Sequence, residues 1–600
     1  VEIFMDELNS PEDGSLEASV GKFRDPGLLD RPFAEIKSAA LALLEGWSAY
    51  STCAQPIKVA VMSGFNDHFL IDYLRLALFR RGFAAEFASS GYGQFLQDVL
   101  AGAGVLRTNP DVVFFLPSHR DLRFFAGLGA SKAQAQTAAD EEAEFWRQVI
   151  ERIGRPLVLL SFDQSPHRAL GELSGYSPSS ESAHARRTNA LLYDKLPPSV
   201  SMVDAEAMQN RLGPLWHDAH VYTLCKQPFA MSALPLVADT LAASAAARLG
   251  KVRKVLVLDL DNTIWGGVVG DVGMPGLELG PETPEGEAYT SFQNYVKALS
   301  RRGVVLALCS KNNSEIAWPA FCEHPAMVLK PNDIAAYVIN FDDKATNLRS
   351  LAKTLNLGLE SFVFVDDNPI ERQWVQEQLP EVAVVNLPEN PALYADALDR
   401  ANLFPTSALT GEDLSRSQSY RAVAITREAG MAALDVESFL RDLQAVATVE
   451  QVGASNVDRI VQLIGKTNQF KMNPRLFDAA QILENAESVI ALRLSDRLQD
   501  YGIVAVAVTE RGEGTLKILN WVMSCRVFAR RLEYVMTELL WKKAVNLGLT
   551  ELSLGFVPSS RNGIVPEALA SVGFDVKKDE SLFVLTGYSG TVDHHMKVVQ

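Results

Sequence analysis

The sequence predicts a multidomain α/β protein: two successive parallel-sheet units, then a smaller α+β unit. Three observations carry this. Short, almost purely apolar runs alternate with helix-patterned segments from about residue 51 to 395, as buried parallel strands and their crossover helices do. Aspartates and serines close several of those runs, at the strand ends where open parallel sheets hold ligands. After residue 487 three strand runs follow one another directly, before one long helical segment and a further strand. The 600 residues suffice for three or four domains.

The elements follow in order. Residues 1–50 read as an N-terminal extension and helix. Residues 51–225 form the first unit, with strands KVAVMSG (58–64), DVVFFLP (111–117), PLVLLSF (156–162) and SVSMVDA (199–205). HFLIDYLRLALFRRG and EEAEFWRQVIERIG supply helices between them, which makes the unit doubly wound. Residues 226–251 read as a linker helix. The second unit, 252–395, has strands KVLVLDLD, GVVLALCSK (303–311), AMVLK (326–330), SFVFVDD (361–367) and VAVVNL (382–387). Residues 396–430 read as a helical linker. In the last unit, 431–600, ESVIALRLSD, YGIVAVAVTE and TLKILNWVMS precede the helix RRLEYVMTELLWKKAVNLG and the strand LTELSLGFV.

Composition narrows the classes. The net charge of -17 argues against nucleic-acid binding. No apolar run has membrane-spanning length. Five scattered cysteines, without a CxxC pair, fit a reducing cytoplasm. The first residues, VEIFMDELNSPEDGS, are acidic, lack a signal-peptide pattern and, beginning with Val, read as trimmed.

The central question is why VLVLDLDNTIWGG (255–267) drives a buried strand into two aspartates. Carboxylates buried side by side need a cation or a proton. Ser310 ends a second strand, Lys344 lies in FDDKATNL, and Asp366-Asp367 end a third strand. The segment Asp259-Leu-Asp-Asn-Thr263 resembles the DxDxT motif of the haloacid dehalogenase (HAD) superfamily, and the other residues match its remaining pieces in order. The resemblance implies a HAD-type Rossmannoid sheet and Mg²⁺-dependent phosphoryl chemistry. Asp259 is then the nucleophile and Asp261 the acid and base. Asp259, Asp261 (through its carbonyl), Asp366 and Asp367 hold Mg²⁺. Thr263, Ser310, Lys311 and Lys344 bind phosphate, and Lys344 also offsets the charge of Asp259. The insert WGGVVGDVGMPGLELGPETPEG is short enough for a hairpin flap but not for a cap domain.

SKNN (310–313), DDKATNL (342–348) and LNLGLESFVFVDDNPIER (355–372) narrow the resemblance to the FkbH-like family. It implies that a phosphoglyceryl group from 1,3-bisphosphoglycerate moves to a thiol and loses its phosphate. Glyceryl then sits on the phosphopantetheine arm of an acyl carrier protein, in polyketide or related biosynthesis. The last unit resembles the GNAT acyltransferase fold. There Arg526-Val-Phe-Ala-Arg-Arg531 stands where a glycine-rich coenzyme A loop is expected, so Arg526, Arg530 and Arg531 are the candidates for binding a carrier-borne or coenzyme A-type phosphate. Cys525, beside these arginines at a helix start, is the preferred acyl-carrying thiol. Cys309 alternates away from Ser310 and reads as a buried structural thiol. The first unit places Ser63 after a strand as an SGNH hydrolase does, but the rest of that constellation is missing. It reads as a degenerate hydrolase-like domain used for docking or homodimer formation. Two alternatives stand beside the leading reading: a HAD phosphatase for a small phosphorylated metabolite, and a non-catalytic assembly-line interaction protein.

Overall fold

The computed structural model describes residues 16–197, 199–406, 443–467, 469–497, 500–524, 527, 530–559, 562–577, 581–588 and 594–600, with parts of 414–424 and residues 440 and 441. The chain divides into two compact units, Val1–Lys251 with Pro405–Ala408 and Val252–Phe404 with Leu409–Gln600.

In the first unit the described strands are β1 (Gln55–Ser63), β2 (Phe83–Ser89), β3 (Val112–Leu116), β4 (Leu157–Leu160) and β5 (Val200–Val203). They form one parallel sheet in the order β2-β1-β3-β4-β5, a doubly wound topology. Strand alternation divides the side chains between two cores. Val59, Val61 and Phe114 face one layer, and Ala60, Met62 and Phe115 face the other. The strand FAAEFAS (β2) escapes the sequence reading because alanine and an embedded Glu86 dilute its strand signal.

The segment expected as a linker belongs to the first core. Its helix, Leu234–Arg248, buries Leu234, Val237 and Leu241 against the helix His68–Arg80. Asp239, 3% exposed, is held there by Arg80 Nη1 at 3.1 Å and by Arg81 Nη1 and Nη2 at 2.6 and 3.0 Å. Removing one partner of a buried ion pair strands the others. Asp239→Ala is therefore expected to cost about 3–5 kcal/mol. Hydrogen exchange of the full chain checks this: protection should fall along both helices of the pair.

The second unit opens with β6 (Val255–Leu258), β7 (Val305–Lys311), β8 (Ile334–Asn340), β9 (Phe362–Asp366) and β10 (Ala383–Asn386). All pair in parallel, in the order β10-β9-β6-β7-β8. The helix Pro284–Arg301 covers one face and the helix Lys344–Leu355 the other. One expected strand is displaced: AMVLK is a loop, and IAAYVIN (β8) pairs with β7 instead. The loop buries Met327 and Leu329, which explains its apolar pattern. Its backbone is satisfied by side chains, with Val328 and Leu329 N–H donating to Gln293 Oε1 at 2.9 and 3.1 Å.

The insert after Thr263 is small, as expected, but it is not a two-stranded hairpin. Gly266 and Glu278 close it with a reciprocal pair of backbone hydrogen bonds, both 3.0 Å. A helical turn, Val269–Val272, lies inside. A Cβ at Gly266 would meet Glu278 Cβ at 2.7 Å and Tyr289 Cε2 at 2.8 Å, so glycine is required at the neck of the flap.

The C-terminal part of this unit is a nine-stranded, mostly antiparallel sheet among the described residues. Its centre is the meander β13 (Val489–Ser495), β14 (Asp500–Arg511) and β15 (Thr515–Met523), numbered after the peripheral β11 (Val446–Glu450) and β12 (Phe470–Lys471). The helix Leu532–Asn546 then crosses to β16 (Glu551–Gly555), which runs parallel to β15. This is the expected order of strands, helix and strand. Strands β15 and β16 pair only over Thr515–Ile518 and Glu551–Leu554. Beyond that they are bridged by Phe470–Met472: β12 pairs with Val522 and Met523, Met472 N–H donates to Trp521 O, and Val557 N–H donates to Met472 O. The NQFKMNPR stretch, to which the sequence assigns no role, thus supplies this bridge.

Candidate functional site

Strand β6 ends at Leu258, and the next residue, Asp259, still donates its N–H to Val365 O of β9 at 3.0 Å. This register puts Asp259 beside Asp366, the last residue of β9. Lys344 arrives from the other side. Asp343 caps the helix Lys344–Leu355 by accepting from Thr346 N–H at 2.9 Å, so Lys344 opens that helix. Its Nζ lies 3.1 Å from Asp259 Oδ1 and is hydrogen-bonded to Asp366 Oδ2. Ser310 is buried near the end of β7.

Carboxylate oxygens of Asp259, Asp366 and Asp367 all lie within 4.8 Å of one another. Burial pushes the Asp259 carboxyl up, against the pull of Lys344. Burial and the Asp259 charge push Asp366 up to about 6, and burial followed by Asp366 raises Asp367. Burial works against the charge of Lys344, but Asp259 and Asp366 outweigh it and hold its pKa above the ordinary value. One lysine therefore faces three crowded carboxylates. Asp259 Oδ1 is buried and has no hydrogen-bond partner beyond the 3.1 Å ion pair with Lys344. An all-oxygen set with an orphaned buried oxygen fits a hard dication such as Mg²⁺.

The remaining predicted residues fall into different places. Asp261 stays outside the carboxylate cluster. Its Oδ1 accepts from Trp265 Nε1 at 2.8 Å and Val269 N at 3.1 Å, and its Oδ2 from Asn312 Nδ2 at 2.8 Å. The flap and the β7 end thus fix its carboxylate. The Thr263 hydroxyl accepts from Asp367 N–H at 3.1 Å and donates to Asp367 Oδ1 at 3.3 Å. It orients the acidic turn, and in this arrangement its proton is not offered to a phosphate. Lys311 Nζ pairs with Glu371 at 2.6 Å on the exposed edge. The Cys309 thiol is fully buried, and burial raises its pKa.

Four contributors have no assigned role in the sequence reading. Asn312 and Arg372 lie inside the quoted SKNN and DDNPIER stretches, so the motifs themselves were the signal. Arg372 Nη1 donates to the carbonyls of Asp366 and Asp367 at 2.7 and 2.8 Å and ties down the acidic turn. Tyr394 and Tyr289 donate to Asn262 O at 3.3 and 3.4 Å, supporting a residue held at φ 53°. Nothing local in the sequence marks these tyrosines.

The arginine cluster of the last sheet is only partly described. Cys525 and Arg526 lie outside the described residues. Arg530 corrects the expectation. It is 3% exposed, with Nε donating to Asp496 Oδ2 at 3.1 Å and Nη2 to the Tyr501 hydroxyl at 2.6 Å. A guanidinium committed to a buried carboxylate does not meet a diffusing phosphate. Arg531 is the half-buried N-cap of the helix Leu532–Asn546, in the left-handed conformation. Trp521 is wholly buried against Phe470, and Asn562 is hydrogen-bonded to Lys471 O and Val557 O, so both are structural. In the first unit Ser63 Oγ lies 2.7 Å from Phe65 O and 3.0 Å from Asp67 Oδ2, within its own turn.

The N-terminal part of the protein BF1531 from Bacteroides fragilis, containing a phosphatase domain complexed with Mg, matches at 29% identity and a TM-score of 0.56. The match covers 65% of this chain and 99% of that one. This chain is similar to a phosphatase-bearing protein. Ribosomal-protein-S18-alanine N-acetyltransferase from Escherichia coli also matches, at 14% identity and a TM-score of 0.18, over 23% of this chain and 91% of that one. N-acetylglutamate synthase from Neisseria gonorrhoeae matches at 11% and 0.18, over 57% and 97%. No family model and no curated protein matches the chain. No helix among the described residues is long and apolar enough to cross a membrane.

Proposed function

We propose that this chain is a Mg²⁺-dependent phosphoryl-transfer enzyme of the HAD superfamily, built around Asp259. The observation that carries the reading is the buried cluster of Asp259, Asp366 and Asp367 with the orphaned Asp259 Oδ1, set against Lys344. Asp259, Asp366 and Asp367 hold the metal. When bound, Mg²⁺ screens the phosphoryl charge that would otherwise repel a carboxylate nucleophile. Asp259 attacks phosphorus and carries the phosphoryl group as an aspartyl phosphate. Asp261, held by Trp265, Val269 and Asn312, gives a proton to the leaving oxygen and takes one from the attacking water. Lys344 and Ser310 stabilise the phosphoryl oxygens, and Lys344 keeps the carboxylate pair compatible with a folded core.

The finer reading follows the FkbH-like resemblance. The thiol of an acyl carrier protein attacks the acyl carbonyl of 1,3-bisphosphoglycerate, the C1 phosphate leaves as orthophosphate, and the C3 phosphate of the resulting phosphoglyceryl thioester is removed at Asp259. The flap is short, as a substrate tethered to a protein would require. Cys525 remains the candidate for a thioester on this chain. The phosphoryl step is tested by release of the C3 phosphate from the phosphoglyceryl unit, read by mass, in Mg²⁺ and in chelator. Release that stops in chelator and returns with Mg²⁺ is the expected result; release indifferent to the metal would overturn the reading.

A further inference from the structure

The first unit carries a second group of ligand-type side chains, and nothing in the phosphoryl chemistry uses it. His119 follows β3, Asp163 follows β4, and His217 lies in the segment after β5, so all three reach the carboxyl-end rim of the sheet. His119 Nδ1 lies 2.9 Å from Asp163 Oδ1, and His217 Nε2 lies 2.8 Å from Asp163 Oδ2. The two imidazoles stand nearly perpendicular, at 83° with centroids 5.4 Å apart. Their ligand atoms and the carboxylate lie within 4.8 Å of one another.

We propose that His119, Asp163 and His217 bind a transition-metal dication of the zinc class, at a site separate from the acidic cluster of the second unit. Two imidazole nitrogens with one carboxylate form a donor set suited to zinc, unlike the all-oxygen set around Asp259. Asp163 is 1% exposed, and among the described residues its only ion-pair partners are the two histidines. A buried carboxylate without Lys or Arg needs a positive charge from imidazolium or from a metal. The outer layer of the site is already built. His119 N–H donates to Asp163 Oδ1 at 2.8 Å, and Trp216 Nε1 donates to Oδ2 at 3.0 Å, which fixes the carboxylate before any ion arrives. The histidine side chains are 11% and 13% exposed, so the site opens to solvent on one side. When the metal takes Nδ1 of His119 and Nε2 of His217, each ring keeps one proton on its other nitrogen. Any extra imidazolium proton leaves to water.

The test uses the full chain, stripped with chelator and then held in Mg²⁺ to occupy the acidic cluster. Zn²⁺ is titrated against a chromophoric chelator, and Co²⁺ is added separately to read the ligand field. The wild type should bind one more equivalent of Zn²⁺ than His119→Gln or His217→Gln. The visible Co²⁺ band of a low-coordinate nitrogen and oxygen site should vanish in both variants. Trp216→Phe keeps all three ligands and should bind about 10–100-fold more weakly. Should a variant fail to fold, the wild type alone decides: Zn²⁺ should protect His119 and His217 from diethylpyrocarbonate, read by peptide mass mapping. Equal zinc stoichiometry and equal Co²⁺ spectra in wild type and variants, or no protection of either histidine, would overturn the proposal. The site would then be a hydrogen-bonded His–Asp–His group without metal.

Discussion

Asp259→Asn should lower Mg²⁺-dependent phosphate release by more than about 10⁴-fold while leaving the fold intact. The amide has the shape of the carboxylate but neither its nucleophilic oxygen nor its charge. Asp259 is buried, and its pKa is raised, so the folded chain already disfavours its ionised form. A neutral isostere removes that penalty. The variant should therefore unfold at the same temperature as the wild type or higher when both are free of metal. Phosphate release and thermal unfolding, measured on one preparation, check the two halves. Loss of activity together with a large loss of stability would mean that Asp259 is a structural ion-pair partner rather than the nucleophile.

Lys344→Met should show the opposite pattern in stability. Lys344 is 3% exposed and faces both Asp259 and Asp366. Without it, Asp259 and Asp366 lose the cation paired to their carboxylate oxygens, and Arg372 reaches only the backbone carbonyls of the acidic turn. The expected cost in chelator is about 3–5 kcal/mol. Mg²⁺ supplies the missing charge, so the gap between unfolding temperatures in Mg²⁺ and in chelator should be wider in the variant than in the wild type. Turnover should still fall by about 10²–10³-fold, because the metal does not replace the contact to the phosphoryl oxygens. An unchanged gap would show that the lysine and the metal do not answer to the same charges.

The parts of the site that lie on strand ends were the most legible in the sequence. Asp259, Ser310 and Asp366 each close a buried apolar run, and a parallel sheet can only bring such ends to one edge. Lys344 was readable through its motif, and the capping Asp343 explains why it starts a helix there. What the sequence hid depended on distant contacts. Thr263 is expected from its motif to bind phosphate, yet its hydroxyl is spent on Asp367. Arg530 belongs to a basic cluster, yet Asp496 and Tyr501 draw it into the interior. AMVLK has the composition of a strand, but Gln293 and Lys297 satisfy its backbone as a loop. His217 carries no local signal in the sequence, because its partner Asp163 follows β4, far away along the chain.

The measurement that bears most directly on the account is an intact-mass experiment. The purified chain is incubated with Mg²⁺, 1,3-bisphosphoglycerate and a holo acyl carrier protein, and both proteins are weighed before and after. The account predicts a glyceryl-sized gain on the carrier thiol with phosphate released in the wild type. With Asp259→Asn it predicts a phosphoglyceryl-sized gain that does not lose its phosphate. A carrier of unchanged mass beside free phosphate would contradict the acyl-loading claim and leave a Mg²⁺-dependent phosphatase.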